Sequence, residues 1–176
     1  IESKYEIKKH VKIVINQIDM DGQLEWYRDI WDDSKSPENG NKLRLYRLYK
    51  ERMVPDFYVK RSMPRHYRQT LSKFRSGTLP IGIETGRYMN LPLNERTCNV
   101  CASGAVENEV HVLIDCELYD DLRHELLNHM HNIYEDFSML PSLTKFLSIM
   151  SSDSCQFLIA KYLICMMQRR RLYIFN

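Results

Sequence analysis

Apolar residues recur at helical spacing along most of this chain, and strict alternation is scarce. Over residues 3–19, Ile7, Val11, Val14 and Ile18 fall at i, i+4, i+7 and i+11 with lysines opposite, which predicts an amphipathic helix. Asp21-Gly22 is expected to break it, and a second helix follows over 23–32 with Leu24, Trp26, Tyr27 and Ile30. Trp26 and Trp31 are expected as core anchors. The polar run Asp33–Asn41 clusters Ser, Pro, Asn and Gly, which marks a hinge loop. It divides a helical arm, 1–41, from the remainder, 42–176.

Lys42 to Met53 predicts a basic amphipathic helix with Leu45, Tyr49 and Met53 on one side and Arg44, Arg47 and Lys50 on the other, ended by Val54-Pro55. Pro64 is placed to start another helix running to Ser76, with Gly77 as its stop. Its Tyr67, Leu71 and Phe74 point inward; Arg65, Arg68 and Gln69 point out. Thr78 to Leu93 holds two prolines and two glycines and is predicted to run extended. Within it Glu84 pairs with Arg87 or Arg75, a structural role. Glu117 to Phe137 predicts a helix with the stripe Leu118, Leu122, Leu126, Met130, Ile133 and Phe137. Asp120 and Asp121 complement its dipole; His124, His129 and His131 fall off the stripe.

Pro141 opens a short helix to Met150. Ser152 or Asp153 caps a last one, Ser154 to about Tyr173, apolar on nearly all sides and therefore central, with Cys155 and Cys165 as core thiols. Arg169, Arg170 and Arg171 complement its C-terminal dipole or form a second phosphate contact. The sum is an all-α helical bundle with little or no strand.

One stretch interrupts the helices with a different chemistry, CNVCASGAVENEVHVLIDC. Cys98 and Cys101 form a C-x2-C turn, His111 follows after nine residues and Cys116 after four more. Zn²⁺ is bound tetrahedrally by thiolates and imidazoles at this kind of spacing, and four protein ligands leave no position for a reactive water, so the site reads as structural zinc. Alternatives are free thiols beside an unrelated histidine, or His124 in place of His111. A disulfide is disfavoured by the odd count of five cysteines and by the lack of a signal peptide.

Charge sharpens this picture. The net charge is only +2, but Lys42 to Arg75 holds eleven basic residues against Glu51 and Asp56, whereas Val106 to Asp136 holds nine acids against Arg123. Such a one-signed stretch repels itself unless it meets a polyanion or the chain's own acids. Arg44, Arg47, Lys50, Arg65, Arg68, Lys73 and Arg75 are the candidate nucleic-acid contacts. Apolar and charged fractions of 44% and 27% are those of a globular protein. The longest apolar run, near Phe157 to Met167, is interrupted by Lys161, which argues against a membrane partner. The chain opens on Ile1 without a targeting segment, so it is expected to be a piece of something longer, in a reducing compartment, nuclear or cytoplasmic.

The order KLRLYRLYK, PRHYRQTLSKFRSG, LPIGIETGRY, ERTCNVC, ENEVHVLIDC and YDDLRHELL resembles the region that follows the reverse transcriptase domain in non-LTR (LINE-type) retrotransposon polyproteins. The resemblance spans about Lys42 to Leu127. It implies that Cys98, Cys101, His111 and Cys116 are zinc ligands, and that the unit helps a parent polyprotein grip template RNA or target DNA. The nine-residue gap before His111 is longer than the family's usual form, and Thr78 stands where relatives often carry histidine.

No catalytic set is evident. A nuclease needs clustered acids with a lysine to hold a metal ion, and the sixty residues after Cys116 are too few for that domain. Tyr119-Asp120-Asp121 imitates the polymerase acids but falls at a helix start. The expected function is therefore a non-enzymatic, zinc-stabilised nucleic-acid-binding module. The alternative is a protein-interaction module, reused by a host, on the same zinc scaffold.

Overall fold

The computed structural model describes residues 4–34 and 40–175. The middle of the predicted hinge and the side chains of Ile7, Val11 and Val14 lie outside that description. The protein is all-α, as the periodicity predicts. In order come α1 (Lys4–Trp31), α2 (Tyr46–Tyr49), α3 (Phe57–Lys60), α4 (Arg65–Arg75), α5 (Gly82–Tyr88), α6 (Asp120–Ile133), α7 (Ser142–Ser151) and α8 (Gln156–Phe175). Among the described residues the only β-type pairing is one antiparallel bridge, Thr97 to Val106, and no helix is long and apolar enough to cross a membrane.

α8 is the central element, packed by α4 and α6, while α7 packs on the turn His111–Asp115 and on α2. The joint is apolar: Leu71 and Phe74 of α4, Leu126 and Met130 of α6 and Ile159, Ala160, Leu163 and Met166 of α8 are all buried. Burying one such large side chain is worth about 1.5–3 kcal/mol. The exposed Lys161–Glu125 pair across the same α6–α8 contact is worth under about 1 kcal/mol. At the α6–α8 contact, packing therefore outweighs this exposed pair.

Four predicted features are corrected. First, α1 runs unbroken through Asp21-Gly22. A Cβ at Gly22 would meet open space, and Gln17 Nε2 donates to Asp21 Oδ1 one turn on, at 3.0 Å. The cost of a mid-helix glycine, about 1 kcal/mol, does not break a helix of 28 residues. Second, the tryptophans are not deep anchors. Trp26 is half-buried and Trp31 is 40% exposed, whereas Ile30 is buried; the Arg47 guanidinium lies 4.6 Å from the Trp31 ring centroid.

Third, Lys42 to Met53 is not one helix; only Tyr46–Tyr49 is helical. Its cations diverge to separate carboxylates, Lys42 to Glu84 at 2.5 Å, Arg44 to Glu109 at 2.7 Å, Arg47 to Asp33 at 2.8 Å and Lys50 to Asp56 at 2.5 Å. No single helical face could reach all four. Fourth, the segment after Gly77 contains α5 rather than extended chain. The Gly82 N–H donates to the Glu107 carboxylate and the Ile83 N–H to the Glu107 carbonyl, so the start of α5 is capped from a distant residue. Within α5, Glu84 is buried and takes Arg87 as a partner at 3.1 Å.

Smaller differences follow the ends of helices. The predicted 117–137 helix is α-helical only over Asp120–Ile133, with single 3₁₀ turns on either side. Ile133 and Phe157 are about half exposed at the rim. α4 matches its prediction, including the glycine stop: Gly77 has φ 65°, and a Cβ there would lie 2.2 Å from the Lys42 carbonyl oxygen. Gly104 has φ 66° but open space around it. Gly77→Ala is therefore expected to cost about 3 kcal/mol and Gly104→Ala about 1 kcal/mol, read as shifts of the urea midpoint. Equal shifts would mean that the Lys42 contact is unimportant.

Candidate metal centre

The C-x2-C turn is held by a short antiparallel clasp. Cys98 N–H donates to the Ala105 carbonyl at 2.8 Å and Glu107 N–H to the Arg96 carbonyl at 2.9 Å, closing a loop whose return is made by Gly104. Four residues past Glu107, the backbone forms a π-type turn, His111–Asp115, in which Cys116 N–H donates to the His111 carbonyl at 2.8 Å. This turn explains the H-x4-C spacing. In an α-helix, residues five apart diverge by about 140° around the axis; a turn closed from i to i+5 stacks them on one side. Tyr162 of α8 donates its hydroxyl to the Val112 carbonyl, and Arg123 of α6 donates to the Cys116 carbonyl, so two helices hold the turn.

The structure brings all four sequence-predicted ligands together. Cys98, Cys101, His111 and Cys116 place their ligand atoms within 4.8 Å of one another, with Cys101 Sγ 3.5 Å from His111 Nε2. Metal–sulfur bonds of 2.3 Å in a tetrahedron put sulfurs about 3.8 Å apart, so side-chain adjustment alone could close the set on an ion. Cys101 is half-buried and the other three are buried. His124 is exposed on α6 and does not belong to the group. All five cysteines are free.

The electrostatics suit a site that exchanges protons for a metal. Burial pushes the Cys98 thiol up to about 11 and the Cys116 thiol up to about 12. Partial burial also raises Cys101, but hydrogen bonds from Ser103 and the neighbouring thiols outweigh it and leave Cys101 below the ordinary value. Burial lowers His111, keeping the imidazole neutral and able to ligate. Cys98 and Cys116 at least thus carry protons at neutral pH that a metal would have to displace. Metal affinity is expected to rise by at least about a hundredfold per pH unit between pH 7 and 8, measured by competition with a chromophoric chelator. A pH-independent affinity would contradict protonated thiols.

Behind the ligands lies a buried ion pair that sequence reasoning missed. Glu107 is fully buried; Oε1 accepts from Arg170 of α8 and lies 3.6 Å from Cys98 Sγ, while Oε2 accepts from Gly82. One carboxylate so joins the cysteine loop to α5 and α8. Glu109 beside it holds Arg44 through both oxygens at 2.7 Å. The available signal was the ENEVH run, whose two glutamates flank Asn108; Asn108 Oδ1 accepts from the His111 N–H at 2.9 Å. Arg170 carried none, since nothing in Arg169-Arg170-Arg171 separates the buried residue from its neighbours.

The seven candidate nucleic-acid contacts divide. Arg44, Arg47 and Lys50 hold the partners given above. Arg75 is buried, bonded to Asp56 at 3.2 Å and to the Met150 carbonyl, with its guanidinium 4.8 Å from the Tyr49 ring centroid. Arg65, Arg68 and Lys73 stand exposed on the outer side of α4 and make no ion pair among the described residues. The acidic stretch meets mostly the C-terminal cations, through Glu107–Arg170, Asp121–Arg169 and Glu125–Lys161. Comparison with protein-family models, with curated proteins and with solved structures gives no match.

Proposed function

We propose that this chain is a zinc-stabilised nucleic-acid-binding module, non-enzymatic in itself, of the kind that follows the reverse transcriptase domain in LINE-type polyproteins. Three thiols and one imidazole within 4.8 Å form a soft donor set. Such a set favours zinc over the oxygen-seeking Mg²⁺ and Ca²⁺. Four protein donors fill a tetrahedron, which gives the metal a structural role. Its thiolates require a reducing compartment, nuclear or cytoplasmic. The resemblance in residue order is the second support, and it makes the rest of a polyprotein an expected partner.

The observation that carries the binding function is the one-signed outer side of α4. Arg65, Arg68 and Lys73, with Lys60 and Arg61 ahead of them, are exposed cations, and their mutual repulsion is relieved by a polyanion. The test is titration of the zinc-loaded protein with labelled RNA and DNA at two salt concentrations. Binding should weaken with salt, and Arg65→Ala with Arg68→Ala should reduce the log–log salt slope by about 1.5. An unchanged slope in the variant removes this surface from the interface.

One observation favours a protein-interaction reading as the runner-up. Met20, Leu24, Tyr27 and Trp31 fall at i, i+4, i+7 and i+11 on α1 and are 60%, 56%, 48% and 40% exposed. Heparin separates the two functions, since it displaces a salt-sensitive nucleic acid but leaves an apolar helix contact intact.

A further inference from the structure

We propose that the groove between α4 and α8 is a track for a single strand of nucleic acid rather than for a duplex. This inference rests on the nucleic-acid reading above and deepens it. The groove encloses about 250 Å³. Its α4 wall carries His66 and Lys73, its α8 wall carries Arg171, and its floor is formed by Leu79, Ile164 and Met167. A second groove of about 510 Å³ on the other side of α4 contains Arg68 and shares Lys73. No carboxylate lines either one.

Cations over an apolar floor match a nucleotide whose base is unpaired. Phosphates meet Lys73 and Arg171, and the flat base covers Ile164 and Met167. A duplex keeps its base faces inside the stack and brings only phosphates to this surface, leaving the floor uncovered.

Aromatic residues extend the same match beyond the groove. His66 is exposed and stands edge to face with Tyr67, ring centroids 4.7 Å apart. Tyr67 in turn lies 5.2 Å from Phe157, a phenyl ring left 49% exposed at the start of α8. An exposed phenyl ring is poor use of an apolar side chain unless something stacks on it. Bases stack on such rings whatever their identity, so the track would bind without reading sequence. An acidic peptide would use the cations and ignore the rings.

The test is fluorescence anisotropy on the zinc-loaded full chain with short labelled oligouridine, oligothymidine and a duplex of the same length. Single strands should bind more tightly than the duplex. His66→Ala with Phe157→Ala should weaken single-strand binding about tenfold and leave duplex binding within about twofold. His66→Phe with Phe157→Trp, which keeps the rings, should retain wild-type affinity. Both positions are exposed or half-exposed, and a thermal melt verifies that each variant is folded.

The inference is overturned if the duplex binds as tightly as the strands, or if the alanine pair leaves strand binding intact. Should Arg65→Ala with Arg68→Ala still weaken every ligand in that case, the nucleic-acid reading survives without the track. If no oligonucleotide binds, both fall. Displacement of the strand by polyglutamate, with the aromatic substitutions silent, also overturns the track and points to an acidic protein.

Discussion

Stripping the proposed zinc with a strong chelator is expected to abolish the cooperative thermal transition of this protein, and Cys116→Ala is expected to do the same. The ligands are not appended to a finished bundle. Val112, Leu113 and Cys116 are fully buried members of the main core, and Cys98 is buried beside them. Without an ion, the buried Cys98 and Cys116 thiols would keep their protons, and nothing would join the His111 and Cys116 side chains across the π-type turn. Structural zinc supplies about 10–16 kcal/mol in small peptides, which matches or exceeds the roughly 5–15 kcal/mol stability of a whole domain.

Circular dichroism melts before and after metal removal, with elemental analysis of both samples, make the comparison. Cys165→Ser, at a half-buried thiol outside the centre, is the control and should shift the midpoint by no more than a few degrees. A metal-free protein that melts within those few degrees of the loaded one would show that the helices fold without the ion.

The second large effect belongs to Arg170→Ala, expected to cost about 3–5 kcal/mol. Arg170 is 4% exposed and Glu107 0% exposed. Removing the guanidinium leaves a buried carboxylate with the Gly82 N–H and a long contact to the Cys98 thiol at 3.6 Å to offset its lost hydration, and that thiol would have to become a thiolate to bind a metal. The damage should therefore appear twice, as a lower urea midpoint and as weaker metal retention. Arg171→Ala, one residue along on the exposed side of α8, should change stability by less than about 0.5 kcal/mol.

Replacing both partners, Glu107→Gln with Arg170→Met, should recover much of the loss, since a neutral amide can still reach the Gly82 N–H and no lone charge remains. If the double variant is as unstable as the sum of the single ones, the pair is not acting as a unit.

Glu107 also marks where reading by sequence stops. Its role depends on residues 25 and 63 positions away, Gly82 and Arg170. No periodic pattern encodes such a pairing. The same holds for α5, where the flanking Pro80 and Pro92 and the internal Gly82 and Gly86 suggest extended chain until the Glu107 carboxylate caps it. It holds for the stretch after Lys42, where four cations turn to four separated acids instead of sharing a helical face.

What the sequence by itself determines is local. The 3.6-residue apolar period specifies α4, α6, α7 and α8 and marks α8 as the buried centre, because burial of a continuous apolar face dominates the energy of these segments. The spacing of Cys98, Cys101, His111 and Cys116 singles out the ligand group, because a short loop with cysteines and a histidine has few other ways to bring its donors to one point. Tertiary structure decided the fate of the charges. Which cations are buried with a carboxylate and which stay in water depends on contacts between distant segments, so Arg75 and Arg170 became internal partners while Arg65, Arg68 and Lys73 remained at the surface.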